Sequence, residues 1–144
     1  IKKIVSQKID KLKQTTLSEI ISNNRNILLK IDIEGDEFKI LGDINKNLDN
    51  INLLIIEFHN LELEKNLKKV ENFIRNTTLK NIHINANNYG IITENGIPQV
   101  IEMTLVNPKK FEVSNEITKR TYPIDGLDFK NHKQGPDIRF KFDE

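Results

Sequence analysis

Cysteine is missing from all 144 residues, which removes disulfides, thiolate nucleophiles and thiolate metal ligands from consideration. Glycine is scarce: the six stand at positions 35, 42, 90, 96, 126 and 135, and no two are close enough for a G-x-G turn. That spacing excludes a glycine-rich phosphate cradle of the P-loop or dinucleotide type. Neither charge sign dominates, with 22 basic against 21 acidic side chains and a net charge of +1. A nucleic-acid binder driven by bulk charge is thereby disfavoured, because counterion release needs a clear excess of cations. No apolar run approaches the roughly 20 residues that cross a bilayer. Ile1-Lys2-Lys3 opens into a charged segment rather than a signal peptide. The expectation is a single cytoplasmic domain with neither nucleic acid nor membrane among its partners. Its first residue is isoleucine rather than methionine, so the chain reads as a piece of a longer product.

What is present alternates in period. Thr16-Leu17-Ser18-Glu19 has the capping-box form and opens a short helix with Leu17, Ile20 and Ile21 on one stripe. Ile27–Ile33 is nearly continuous and aliphatic, as in a parallel strand covered on both faces. Phe38, Leu41, Ile44 and Leu48 then recur at helical spacing, with Asp36 and Glu37 in the first turn. Ile51–Phe58 is a second buried strand, and Leu63, Leu67, Val70 and Ile74 line one face of a second helix. Such strand–helix alternation predicts parallel strands joined by crossovers. After Thr78 the pattern changes: residues 81–86 and 99–106 alternate apolar with polar, which predicts an antiparallel hairpin. Residues 107–144 carry three of the four prolines and scattered aromatics. They read as an irregular tail packed on a domain spanning 1–106.

In open α/β sheets ligands sit beyond the carboxyl ends of the strands. That rule selects Asp32 and Glu34 after the first buried strand, and Glu57 and His59 after the second. Carboxylates there can hold a substrate hydroxyl or a divalent cation, and a histidine can take a proton. For Asp32 and Glu57, capping or ion pairing fits the same residues equally well. For Asp36 and Glu37 the helix dipole explains the charge better than chemistry does. His83 is expected to be structural, facing Glu102 across the hairpin, and His132 has no suggestive neighbours. The three histidines lack the spacing of a zinc site, so no metal ligand is assigned. A G-x-S-x-G nucleophile elbow is absent.

One stretch is specific. Leu29-Lys30-Ile31-Asp32-Ile33-Glu34-Gly35-Asp36-Glu37-Phe38-Lys39-Ile40-Leu41-Gly42 resembles the hallmark of the FkbM-type methyltransferases, approximately Leu-Lys-Ile-Asp-Val-Glu-Gly-Ala-Glu, an apolar residue, then Leu-x-Gly. Thr15–Ile20, Ile55-Ile56-Glu57-Phe58-His59, Asn87–Gly90 and Pro98–Thr104 are similar to the segments that flank it in the family, in the same order. The resemblance covers residues 14–106. It implies a partial Rossmann-like methyltransferase sheet of the α/β class, with parallel strands and crossover helices followed by an antiparallel hairpin. The implied activity is S-adenosylmethionine-dependent methylation of a hydroxyl oxygen on a small-molecule acceptor, with carbohydrate foremost. Asp32, Glu34, Glu57 and His59 carry over as the implied catalytic residues. No position is assigned to the cofactor, because the family's glycine-rich loop and ribose-binding acid have no counterpart here. The implied state of this chain alone is inactive, and the alternative is a non-catalytic binding or assembly domain of the same fold. The 27–33 strand is central in the family sheet. An apolar edge at Ile27, Leu29 and Ile31 is therefore expected, covered by residues 1–13 or by a second copy in a homodimer.

Overall fold

The computed structural model of the chain describes residues 4–5, 14–94 and 96–142. Two short strands, β1 (Ile4–Val5) and β2 (Gln14–Thr15), pair in parallel. Helix α1 (Leu17–Ser22) follows, and its capping box forms as its sequence requires: the Thr16 hydroxyl accepts from the Glu19 N–H while the Glu19 side chain accepts from the Thr16 N–H. The main sheet has four strands in the order β3 (Ile27–Ile31), β4 (Ile51–Phe58), β6 (Ile101–Val106), β5 (Lys80–Ala86). β3 and β4 are parallel, and β6 runs antiparallel to both of its neighbours. The hairpin is therefore real, but its second strand is inserted between β4 and β5. β5 consequently runs the same way as β3 and β4.

One face of this sheet carries the core. Ile31, Ile56 and Met103 lie opposite one another, as do Leu54 and Leu105, and all are buried against Leu17 and Ile21 of α1, Leu41 and Ile44 of α2 (Leu41–Lys46), and Val70 and Phe73 of α3 (Glu64–Asn76). The three helices thus cover the same side. Burial of this aliphatic and aromatic surface, worth about 25 cal/mol per Å², is what makes the layers stick.

Several expectations are corrected. β3 ends at Ile31 and is the sheet's edge rather than a strand covered on both faces: Leu28 is 65% exposed, while Ile27 and Leu29 pack against the core instead of forming an open apolar margin. An aliphatic run shows that a strand can be buried on both faces, and not what lies beside it. Residues 1–13 as a cover for that edge fall, apart from Ile4 and Val5, outside the described residues. The single helix expected from Phe38 to Leu48 is three pieces, a 3-10 turn at Glu37–Lys39, α2, and a second turn at Leu48–Asn50. In α3 the buried positions are Asn66, Val70 and Phe73, and Leu63 and Ile74 face solvent. β5 departs from strict alternation because its register slips between Asn81 and His83, which leaves Ile82 exposed. His83 stands opposite Thr104, not Glu102, and its Nε2 lies 2.6 Å from Asp128 of the tail.

Residues 107–142 lie along the β5 side of the sheet. Short strands β7 (Thr121–Tyr122) and β8 (Phe140–Lys141) pair there, with Tyr122 stacked on Phe140 at 5.0 Å. Asn107 anchors the turn out of β6: its buried amide donates to the carbonyls of Leu48 and Ile51, and its N–H donates to Asn52. Asn107→Ala leaves two carbonyls without that donor, and the loss expected is about 2–3 kcal/mol of unfolding free energy, measured by urea denaturation.

Candidate active site

β3, β4 and β5 run in one direction, so their carboxyl ends meet at one edge of the sheet. The register sets Ile31 beside Ile56, and the next residues along, Asp32 and Glu57, are therefore neighbours. His59 follows one residue after β4 ends. The loop after β3 turns sharply through Glu34 (φ 56°) and Gly35 (φ 103°). A left-handed residue other than glycine costs about 1–2 kcal/mol, and here it swings the Glu34 carboxylate back over the strand end. Gly35 suits this turn because φ 103° is a backbone conformation that residues with side chains rarely adopt, and a Cβ there would also push against the tip of the Asn60 side chain, 2.8 Å away.

All four predicted site residues come together. His59 Nε2 lies 3.5 Å from Glu34 Oε2 and 3.9 Å from both Asp32 Oδ1 and Glu57 Oε2. The imidazole and Glu57 are nearly buried, whereas the Glu34 side chain is 85% exposed. On the far side of the ring, Nδ1 is 2.7 Å from Oε1 of Glu37, a carboxylate with no exposure at all. The dipole explanation for Glu37 is thus overturned: the residue points inward, beneath the histidine. For Asp36 the partner is Lys39, and no side-chain cap forms.

Two participants escape sequence reasoning. Glu37 is one, since a carboxylate in a helix's first turn has an ordinary explanation; the histidine after the next strand is the signal that points inward. Asn87 is the other: leaving the end of β5, its amide donates to Glu57 Oε1 at 2.7 Å, although as a sequence it is only a turn residue.

Electrostatically the site is anionic. Glu57 faces Glu102 across the β4–β6 ladder, and Glu102 is drawn aside by Lys30, whose Nζ sits 3.0 Å away. That pairing raises the Lys30 pKa, chiefly through its hydrogen bond to Glu102. The Glu57 carboxyl is held above the usual carboxylate range, first by burial, with the Asp32 charge adding to it and the Asn87 hydrogen bond opposing. Asp32, Glu34 and His59 each bring one ligand atom within 4.8 Å of the others, a separation that one divalent ion can bridge. The cluster sits on an open rim. Two clefts, of about 710 and 520 Å³, lie between the tail and β5–β6, and neither includes these residues. The clustered carboxylates and imidazole at the strand ends thus form a candidate site separate from these clefts.

A sequence model of the FkbM methyltransferase domain matches residues 4–78, just over half of the chain and the whole of the Asp32–His59 cluster. The chain belongs to the FkbM methyltransferase domain family. No curated protein and no solved structure matches it. Membership agrees with the α/β sheet and its helices, and among the described residues no helix is long and apolar enough to cross a membrane.

The raised Glu57 pKa of this FkbM domain has a thermodynamic consequence. A carboxyl that holds its proton more tightly when folded contributes stability below the unfolded pKa, near 4.5, and that contribution is lost as pH rises through the folded value. Glu57→Gln keeps the oxygen that Asn87 needs and removes the charge. It is expected to raise the midpoint of thermal unfolding at pH 8 by a few degrees and to leave it nearly unchanged at pH 4.

Proposed function

We propose that this FkbM domain methylates a hydroxyl oxygen of a small polyhydroxylated acceptor, a sugar or a similar molecule, with S-adenosylmethionine as the donor. The observation that carries the reading is the convergence of Asp32, Glu34 and Glu57 on Nε2 of His59 at the mouths of adjacent parallel strands. Support for a Rossmann-like methyltransferase sheet comes from the strand order, with the last strand antiparallel between two that run together.

Methyl transfer to oxygen asks for a proton acceptor beside the hydroxyl and an in-line approach. His59 Nε2 would take the hydroxyl proton, so that the acceptor oxygen could receive a methyl group whose carbon–sulfur bond to the donor breaks, the sulfonium leaving as a neutral thioether. Asp32 and Glu34, both accessible, accept hydrogen bonds from the acceptor's other hydroxyls and hold it still. S-adenosylmethionine, when bound, supplies an electrophilic methyl carbon on a cationic sulfonium, and an acidic rim favours a cation. The residues present therefore fit the reacting end of the donor. They do not furnish a glycine cradle for its nucleoside, since the six glycines are too far apart. Calorimetry is expected to show donor binding well weaker than low-micromolar.

The test supplies labelled donor in excess with a panel of sugars and polyols and follows O-methyl products by mass spectrometry. His59→Asn is expected to slow transfer about 10²–10⁴-fold. Absence of any O-methylated product from the unaltered protein would favour the second reading, a binding or assembly domain on the same sheet, which the lack of a glycine loop supports.

A further inference from the structure

Glu37 is wholly buried, yet its contacts fall on a single oxygen. Oε1 accepts from the Ile33 N–H at 3.3 Å and the Gly35 N–H at 3.1 Å, and lies 2.7 Å from His59 Nδ1. Oε2, equally buried, has no partner. An oxygen that already receives two backbone N–H groups is an acceptor, so the third contact is a donation from the ring: the hydrogen sits on Nδ1. In the neutral ring the other nitrogen, Nε2, then carries the lone pair, and it is Nε2 that faces Asp32, Glu34 and Glu57. In a free, neutral histidine side chain the hydrogen prefers Nε2, and in a site the choice is set by the hydrogen bond that one nitrogen makes.

We propose that Glu37 is the positioning residue of this site: it selects the His59 tautomer that presents Nε2 as a proton acceptor, and with the same oxygen it holds the Ile33–Gly35 loop in register beneath it. The proposal rests on the reading of His59 as the base. One buried carboxylate thereby couples two catalytic segments, the loop after β3 that carries Asp32 and Glu34 and the end of β4 that carries Glu57 and His59. A helix cap or a buried loop tie would bond the backbone alone and would leave the ring free to take either tautomer.

Long-range proton–nitrogen correlation spectra of the histidine rings distinguish the two forms directly. They are recorded on the full chain at mildly alkaline pH with a chelator present, and His59 is assigned by the loss of its signals in His59→Asn. Expected for the unaltered protein is a hydrogen on Nδ1 of His59. Glu37→Gln retains an acceptor oxygen at the same place and is expected to keep that pattern. Glu37→Met, of similar length and without an acceptor, is expected to shift the hydrogen to Nε2. A hydrogen on Nε2 in the unaltered protein, or a folded Met variant with an unchanged pattern, overturns the proposal. Should the Met variant not fold, the unaltered and Gln spectra decide, and Nε2–H in either is the overturning result. These spectra need no turnover. A His59→Asn variant that still transfers methyl groups at full rate would remove the base and leave the tautomer assignment standing, so the two ideas fail separately.

Discussion

Parallel pairing of β3 with β4 is the constraint on which the site depends. Antiparallel strands would send their carboxyl ends to opposite edges of the sheet, and Asp32 and Glu57 would then lie apart by the length of the strands. Parallel pairing in this register, with Ile31 beside Ile56, places both ends together and requires the chain to return over the sheet between them. The segment from Glu37 to Asn50 makes that return, and Ile44 within it is fully buried. The aliphatic core therefore supports the chemistry indirectly: it fixes a register, and the register aligns the ionisable groups. Asn87 extends the logic to β5, whose direction follows from the inserted antiparallel β6.

How much of this was legible in the sequence depends on whether the deciding interaction is local. β4 is found at its true limits, because eight residues of which six are apolar, bounded by turns, leave little choice. The α1 capping box is likewise a matter of four adjacent residues. The convergence of Asp32, Glu34, Glu57 and His59 was legible because parallel strands bring their carboxyl ends to one edge of the sheet. By contrast, nothing near Leu28 tells whether a further strand lies beyond it. Nothing near His83 announces Asp128, which is 45 residues away. Helical periodicity at Phe38, Leu41, Ile44 and Leu48 describes a buried stripe, and two tight turns flanking a short helix can present the same stripe. Leu63 and Ile74 mislead for a related reason: Asn66 takes a buried position on α3 because its amide donates to the Asn60 carbonyl beneath it, and the buried face turns with it.

Charge at the strand ends is arranged rather than merely accumulated. Four carboxylates surround one imidazole, and Lys30, a cation within electrostatic reach of Asp32 and Glu57, is engaged by Glu102. Like charges so close favour whatever positive charge arrives from outside, a sulfonium or a metal ion. Burial is graded across the group. Glu37 is sealed, Glu57 and His59 are nearly so, and Asp32 and Glu34 reach solvent. The inner members are fixed by hydrogen bonds and the outer ones present carboxylate oxygens to solvent, a division that the proposed base and acceptor-holding partners would need.

The spacing of the motif now has a physical reading. Asp32 is the first residue past the strand; Ile33 and Gly35 offer their N–H groups inward; Glu34 is swung back over the strand end by a left-handed backbone; and Glu37, at the start of a tight turn, comes back beneath the loop to receive both N–H groups. A residue added or removed between Asp32 and Glu37 would break this arrangement, because the carboxylate that binds the loop would no longer sit under it. The same carboxylate meets His59, whose position is set by the length of β4. A loop of six residues and a strand of eight are thus matched through one oxygen atom. That match accounts for a buried acid in a segment where helix propensity alone would ask only for charge at the surface.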